Sequence, residues 1–233
     1  MRKAVILAGG LGSRLKPFTQ AIPKPLLPIG EKTVLEIQIQ RFVQFGFLEI
    51  FIATNYKANY VESFIGDGKR LGATVIFSKE EKPLGTCGPL TLLKEKLQEP
   101  FLLMNGDILT TIDFKKLYDY GMQKEALLTV VTKEIRTPFN FGSVKSKEGY
   151  ILEIEEKPDL LHEIVAGIYF MKPEIFVFIP EDTYFGIDRL IKLLLASASP
   201  VGRYPMQEYW LDIGRIDDYN DAQVAYEQHF RES

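Results

Sequence analysis

Short apolar runs alternate with helix-spaced stretches through the first half of the chain. "KAVILA" (3–8) is too short for a helix and stops at two glycines, the mark of a buried strand. Thr33 with Glu36 three residues on has the form of a capping box. Leu35, Ile39 and Phe42 then share a face before Gly46 closes the helix. "EIFIAT" (49–54) predicts the next strand, followed by a short helix near 60–65, and "TVIFS" (74–78) predicts a third strand. Pro89 is placed as the first residue of a helix running to about residue 97, and "FLLMNGD" (101–107) is a fourth strand ending in polar residues. Strands alternating with helices imply a parallel sheet with right-handed crossovers, whose ligands gather beyond the strands' carboxyl ends. The turn after Ala8 and the "NGD" of 105–107 both lie at such ends. They are expected to meet.

The second half is richer in strands: "ALLTVV" (126–131), "FGSV" (141–144), "YILEIEE" (150–156) and "AGIYFM" (166–171). Helices are expected near 174–178 and 187–196. The chain closes with "YWLDIG" (209–214) and an amphipathic helix carrying Tyr219, Ala222, Tyr226 and Phe230. Without repeats, low-complexity segments or linkers, residues 1–233 read as one mixed α/β domain.

Charge narrows the function. The 28 basic and 31 acidic residues leave a formal charge of −3, which argues against a nucleic-acid partner and requires any phosphate site to use a few placed cations. One cysteine, Cys87, and two histidines, His162 and His229, exclude a disulfide framework and make a zinc or His-rich metal centre unexpected. The apolar run 4–8 is too short for a signal peptide, and no stretch approaches the ~20 apolar residues of a membrane span. A cytoplasmic protein with no membrane partner is expected.

The first candidate site is the glycine turn. Gly9, Gly10 and Gly12 followed by Arg14 suit an anion held against backbone N–H groups. It is neither a dinucleotide fingerprint, which would need glycine at Leu15, nor a Walker loop, which would need glycine at Arg14. Taken alone, it could be a tight turn with solvated cations. Lys24, locked between Pro23 and Pro25, favours a positioned charge. Asp107 and Asp212 lie in apolar surroundings at strand ends. Each alone could cap a helix or a turn; together beside an anion loop they suit Mg²⁺, which takes one or two carboxylates plus phosphates. "EEKP" (155–158) repeats the lysine-before-proline arrangement at Lys157, although such runs are commonly charged turns. Cys87 reads as a small buried filler.

Taken in order, "LAGGLGSRLKPFT", "PKPLLPIG", "PLGTCGPL", "NGD", "EEKP", "AGIYF" and "EYWLDIG" resemble the sugar-1-phosphate nucleotidyltransferase (pyrophosphorylase) family, across residues 7–214. The resemblance implies a Rossmann-like nucleotide-diphosphosugar transferase fold, with a mixed, mainly parallel central sheet flanked by helices. It implies that Ala8, Gly9, Gly10, Gly12 and Ser13 hold the nucleotide, with Arg14 and Lys24 on its phosphates. Gly85, Thr86 and Gly88 would line base and ribose, with Glu80 or Glu81 an acceptor for guanine. Asn105, Gly142, Glu156, Lys157 and Val165 would face the sugar phosphate, Lys157 on the phosphate itself. Asp107 and Asp212 would ligate Mg²⁺. Two positions depart from the family pattern: Cys87 replaces a common alanine, and Val165 replaces an asparagine that would reach a sugar hydroxyl. No left-handed β-helix sequence follows, so acyl transfer is not expected.

The implied reaction is attack of a sugar 1-phosphate on a nucleoside triphosphate, with Arg14, Lys24, Asp107 and Lys157 as its catalytic groups. GTP is favoured because the likeness is closest to mannose- and heptose-1-phosphate guanylyltransferases. Uridylyl, thymidylyl and cytidylyl transfer, and a non-catalytic nucleotide-sugar-binding regulatory subunit, remain open alternatives. Glycosyl transfer would call for a D-x-D motif where "NGD" stands. Further copies of the same chain are an open partner.

Overall fold

In the computed structural model, which describes residues 2–231, the first strand β1 (Arg2–Leu7) sits mid-sheet because both its faces are apolar. Ala4 and Ile6 enter one buried layer and Val5 the other. The chain continues through α1 (Phe18–Ala21), β2 (Pro28–Ile29), β3 (Lys32–Thr33), α2 (Val34–Gln44), β4 (Phe47–Thr54), α3 (Ala58–Ile65) and β5 (Thr74–Lys79). Then follow β6 (Phe101–Asn105), β7 (Ile108–Thr110), α4 (Phe114–Gln123), β8 (Leu128–Pro138), β9 (Ser143–Lys147) and β10 (Tyr150–Glu155). The last elements are β11 (Asp159–Met171), α5 (Ile187–Ala196), β12 (Val201–Met206), β13 (Trp210–Asp212) and α6 (Ile216–His229).

Seven strands form the central sheet in the order β12-β8-β11-β6-β1-β4-β5. β6, β1, β4 and β5 run parallel, β11 is antiparallel to both of its neighbours, and β12 is parallel to β8. The expected mixed, mainly parallel α/β sheet is therefore present. α2, α3 and α4 cover one face with Leu35, Ile39, Phe42, Val61, Phe114 and Leu117. α5 and the 3-10 segments Gly88–Leu93 and Pro173–Phe178 cover the other with Leu190, Leu194, Leu90 and Phe176. A smaller cluster joins α6 to the glycine-turn side through Tyr226, Ala222, Leu15 and Ile213.

The Thr33–Glu36 box forms as read: Glu36 N donates to Thr33 Oγ1 at 3.2 Å, and Thr33 N donates to Glu36 Oε2 at 2.8 Å. The helix expected from Pro89 to about residue 97 is instead a 3-10 segment ending at Leu93. Its entry is fixed from outside, since Cys87 N and Gly88 N both donate to Phe185 O, at 2.9 and 3.2 Å.

α4 and β12 escape a pattern reading for a common reason. Each contains residues that normally break such elements. Gly121 lies in α4 because a Cβ there would meet the Phe170 ring at 2.3 Å. Gly202 abuts Thr129, and Pro205 is tolerated because β12 is an edge strand. β8 and β11 also run longer than their apolar runs predict. Their far halves leave the core and, with the hairpin β9–β10, form an exposed arm.

Candidate active site

β1, β4, β5 and β6 end at one edge, and the turn after β1 is held there by backbone bonds. Ala8 N donates to Ala53 O at 2.8 Å, and Gly106 N donates to Leu7 O at 2.9 Å. The glycines serve different needs. Around Gly10 nothing lies within 4 Å of a would-be Cβ, so its backbone is open to a ligand. Gly9 is pressed on Glu80, whose Oε1 would stand 2.9 Å from an added Cβ. Gly12 takes φ +60°, and a Cβ there would stand 2.7 Å from Thr19 Cγ2 and 3.2 Å from Lys24 Cβ. Its requirement is packing onto Thr19 first and the Lys24 stem second. Gly12 and Ser13 do not line the cleft.

A cleft of about 390 Å³ crosses the strand ends. Its walls include Gly9, Gly10, Glu80, Gly85 and Thr86, five of the residues expected around the nucleotide, together with Asn105 and Asp107; Ala8, Arg14 and Lys24 do not line it. Ligands in open α/β sheets bind at this edge. Glu80 is buried, and Leu84 N donates to its Oε2 at 2.9 Å. Burial pushes its carboxyl above the usual glutamate range, partly offset by that N–H. Glu81, the other candidate acceptor, is exposed and does not line the cleft.

The "GTCG" segment is laced to the loop before α5. Phe185 N donates to Leu84 O at 2.9 Å, and Ile187 N donates to Thr86 Oγ1 at 2.7 Å, so the Thr86 hydroxyl caps α5. A Cβ on Gly88 would stand 2.6 Å from Thr183 O. Gly88, expected at base and ribose, is buried under that loop and does not line the cleft. Cys87 is fully buried, its thiol pushed up to about 12 by desolvation, and it is a filler as expected.

Antiparallel pairing of β7 with β13 sets Asp212 opposite Ile108, and Ile213 N donates to Asp107 O at 2.9 Å. The two aspartates are thus neighbours despite their distance in sequence. Lys24 Nζ lies 2.5 Å from Asp107 Oδ2. A small side cavity bounded by Ala8, Gly10, Lys24, Gly106 and Asp107 adjoins the cleft. Asp212 Oδ1 is buried without a hydrogen-bond partner. Burial, and then the charge of Asp107, push the Asp212 carboxyl above the usual aspartate range; Lys24 and Arg14 pull it back. The Arg14 guanidinium adjoins Gly214, where a Cβ would stand 3.4 Å from Nη2. An orphaned carboxylate oxygen beside a second carboxylate fits a hard divalent cation completed by phosphate and water oxygens. Among the described residues no group of three or more His, Cys, Asp and Glu side chains adds to this pair.

The residues expected at the sugar phosphate lie on the arm. A Cβ on Gly142 would stand 3.1 Å from Glu156 Oε2, so these two adjoin. Lys157 takes φ +49°, a strained conformation for a lysine, and the following Pro158 is buried, with Phe139 N donating to its carbonyl at 3.0 Å. Val165 is 47% exposed and precedes the irregularity in the β8–β11 pairing. None of these four lines the cleft. Asn105 does, with its Oδ1 buried and unpartnered, and Gly167, at φ +71°, lets it approach: a Cβ there would stand 2.8 Å from Asn105 Nδ2. Leu11, Asn55, Pro83, Gly106 and Tyr184 also line the cleft and were not singled out from the sequence. Asn55, directly after β4, was findable by the strand-end rule; Tyr184 carries no local signal.

The family model described as "Nucleotidyl transferase" matches residues 3–229. The chain belongs to the nucleotidyl transferase family. It is 32% identical to the mannose-1-phosphate guanylyltransferase catalytic subunit beta of Dictyostelium discoideum, over 96% of this chain and 64% of that protein. To the UTP–glucose-1-phosphate uridylyltransferase of Synechocystis it is also 32% identical, over 94% of this chain and 62% of that protein. The chain therefore spans somewhat less than two thirds of the length of these curated relatives. Among solved structures, HddC from Yersinia pseudotuberculosis complexed with GMP-PN is similar with a TM-score of 0.76 and 27% identity, covering 97% of this chain and 100% of that one. In this family member the expected Rossmann-like fold is thus present, and the cleft lies where the glycine turn and "NGD" were expected to meet.

Proposed function

We propose that this chain transfers a nucleoside monophosphate from a nucleoside triphosphate, preferentially GTP, to a sugar 1-phosphate, releasing pyrophosphate. The observation that carries the reading is an open glycine backbone and Asp107 on one cleft, with Lys24 on Asp107 and with Asp212 and Arg14 adjoining that carboxylate's side of it. The triphosphate lies along the exposed N–H groups at Gly9 and Gly10, with Arg14 and Lys24 against its phosphates. An oxygen of the sugar phosphate attacks the α-phosphorus in line. The bond from that phosphorus to the α–β bridging oxygen breaks, and pyrophosphate leaves with the electron pair. The attacking oxygen is already anionic at neutral pH, so no protein base is needed; positioning and charge stabilisation do the work. Mg²⁺, held by Asp107 and Asp212, would supply neutralisation of the phosphate charge. Gly142, Glu156, Lys157 and Val165 on the arm, with Asn105 at the cleft, receive the sugar phosphate.

Guanine is favoured because Glu80 offers a buried carboxylate that accepts from N1–H and N2–H₂ together. The guanylyltransferase relatives and the GMP-PN-bound neighbour support that choice. The uridylyltransferase relative makes UTP the sharpest comparator. An omit-one assay tests the reaction: pyrophosphate release should need the triphosphate, a sugar 1-phosphate and a divalent cation. Release without the sugar phosphate would overturn it.

A further inference from the structure

Lys24 and Asp107 form a short ion pair beside the cleft. The Lys24 side chain is only 12% exposed, and its ammonium rests on Asp107 Oδ2 at 2.5 Å. Its backbone is set by Pro23 and by the 3-10 turn Lys24–Leu26, and the glycine turn packs on its stem at Gly12. The ammonium is therefore delivered to this carboxylate rather than left to wander. An Mg²⁺ ion on the same oxygen, at 2.0–2.1 Å, would lie no more than about 4.6 Å from that ammonium. Two cations that close in a half-buried site repel strongly. Asp212 meanwhile keeps a buried oxygen without a partner, so the second half of the cation site stands formed while the first is taken.

We propose that Lys24 is a positioning latch on Asp107: without nucleotide its ammonium holds the carboxylate oxygen that the cation would use, and triphosphate oxygens draw it away, so the divalent ion binds tightly only after the nucleotide. The inference rests on the nucleotidyl-transfer reading, because that reading puts the triphosphate beside Lys24. It makes Lys24 a gate on the order of binding as well as a phosphate contact.

The test is Mn²⁺ binding to the full chain without nucleotide, followed by the electron paramagnetic resonance of free Mn²⁺. Lys24→Gln and Lys24→Met should each bind one Mn²⁺ at least ten-fold more tightly than the parent, and Lys115→Gln, a charge change on exposed α4, should not. Adding Asp107→Asn to Lys24→Gln should abolish the gain. Unchanged or weaker Mn²⁺ binding in both folded Lys24 variants would overturn the latch. Should neither variant fold, parent crystals soaked with GTP in EDTA decide. Lys24 Nζ on a phosphate oxygen and off Asp107 supports the latch, and an ammonium still on Asp107 refutes it. No turnover enters this readout. An inactive enzyme with the Mn²⁺ shift would sink only the transferase reading, and an active one without it only the latch.

Discussion

Gly9 and Glu80 are packed so closely that a methyl group on the glycine would stand 2.9 Å from Glu80 Oε1. The glycine turn and the Glu80 carboxylate, which the proposed reading puts at phosphate and base, are thereby in direct contact. The nearest obstructing atom is the end of the Glu80 side chain, which can rotate away, and Asn55 Cβ at 3.2 Å need give only a few tenths of an ångström. Gly9→Ala should remain folded, with stability changed by about 1 kcal/mol or less. The cost falls on base recognition: the kcat/KM ratio for GTP over UTP should drop about ten-fold, equivalent to ~1.4 kcal/mol. An unchanged ratio would show that Glu80 does not read the base.

Glu80→Gln removes the charge and keeps the shape. An amide presents N–H groups toward guanine's own donors, so the GTP over UTP ratio should fall roughly ten- to hundred-fold. Stability should move the other way. The folded carboxyl is raised above its ordinary value of 4.5 by burial, so between that value and the raised one the folded chain holds more protons than the unfolded. Stability of the parent therefore falls as pH rises through that window and stays lowered at neutral pH. The variant lacks this loss. Its Tm should match the parent's well below pH 4.5 and exceed it at pH 7.

Asp107→Asn and Asp212→Asn should each lower divalent-dependent turnover at least ~100-fold, about 2.7 kcal/mol of transition-state stabilisation, with unchanged circular dichroism. EDTA in excess should silence the parent. Undiminished turnover in EDTA would remove the metal from the account.

The two lysines beside prolines should divide between substrates. Lys24→Ala should raise the KM for the triphosphate at least ten-fold, and Lys157→Ala the KM for the sugar 1-phosphate. Titrating each substrate at saturating levels of the other separates them. Loss of the same substrate in both variants would refute the division.

Thr86 tests what holds the cleft's wall. Its hydroxyl accepts from Ile187 N at the start of α5, so Thr86→Val should cost about 1 kcal/mol and lower Tm by ~2–4 °C. Thr86→Ser should keep the cap and the stability. Thermal melts of the two variants side by side decide it.

What could be read ahead of the structure follows the range of the interactions involved. The Thr33–Glu36 cap spans three residues and is visible in the sequence. The meeting of Gly10 with Asn105 and Asp107 followed from a rule about strand ends, which needs only the order of elements. The adjacency of Asp107 and Asp212 rests on the β7–β13 pairing, and no local pattern encodes it. Gly88, Gly121 and Gly202 were opaque because each answers to a neighbour far along the chain: Thr183, Phe170 and Thr129. Residues 132–138 and 159–165 lost their strand signal because the arm is exposed and need not alternate cleanly.

The most direct measurement follows atoms through the reaction. A sugar 1-phosphate carrying ¹⁸O in its non-bridging phosphate oxygens is incubated with GTP and Mg²⁺, and the products are weighed by mass spectrometry. The account predicts all of the label in a guanosine diphosphate sugar, one labelled oxygen forming the new bridge, and none in the released pyrophosphate. Label in any released phosphate, or no nucleotide sugar with any of the common triphosphates, would contradict it.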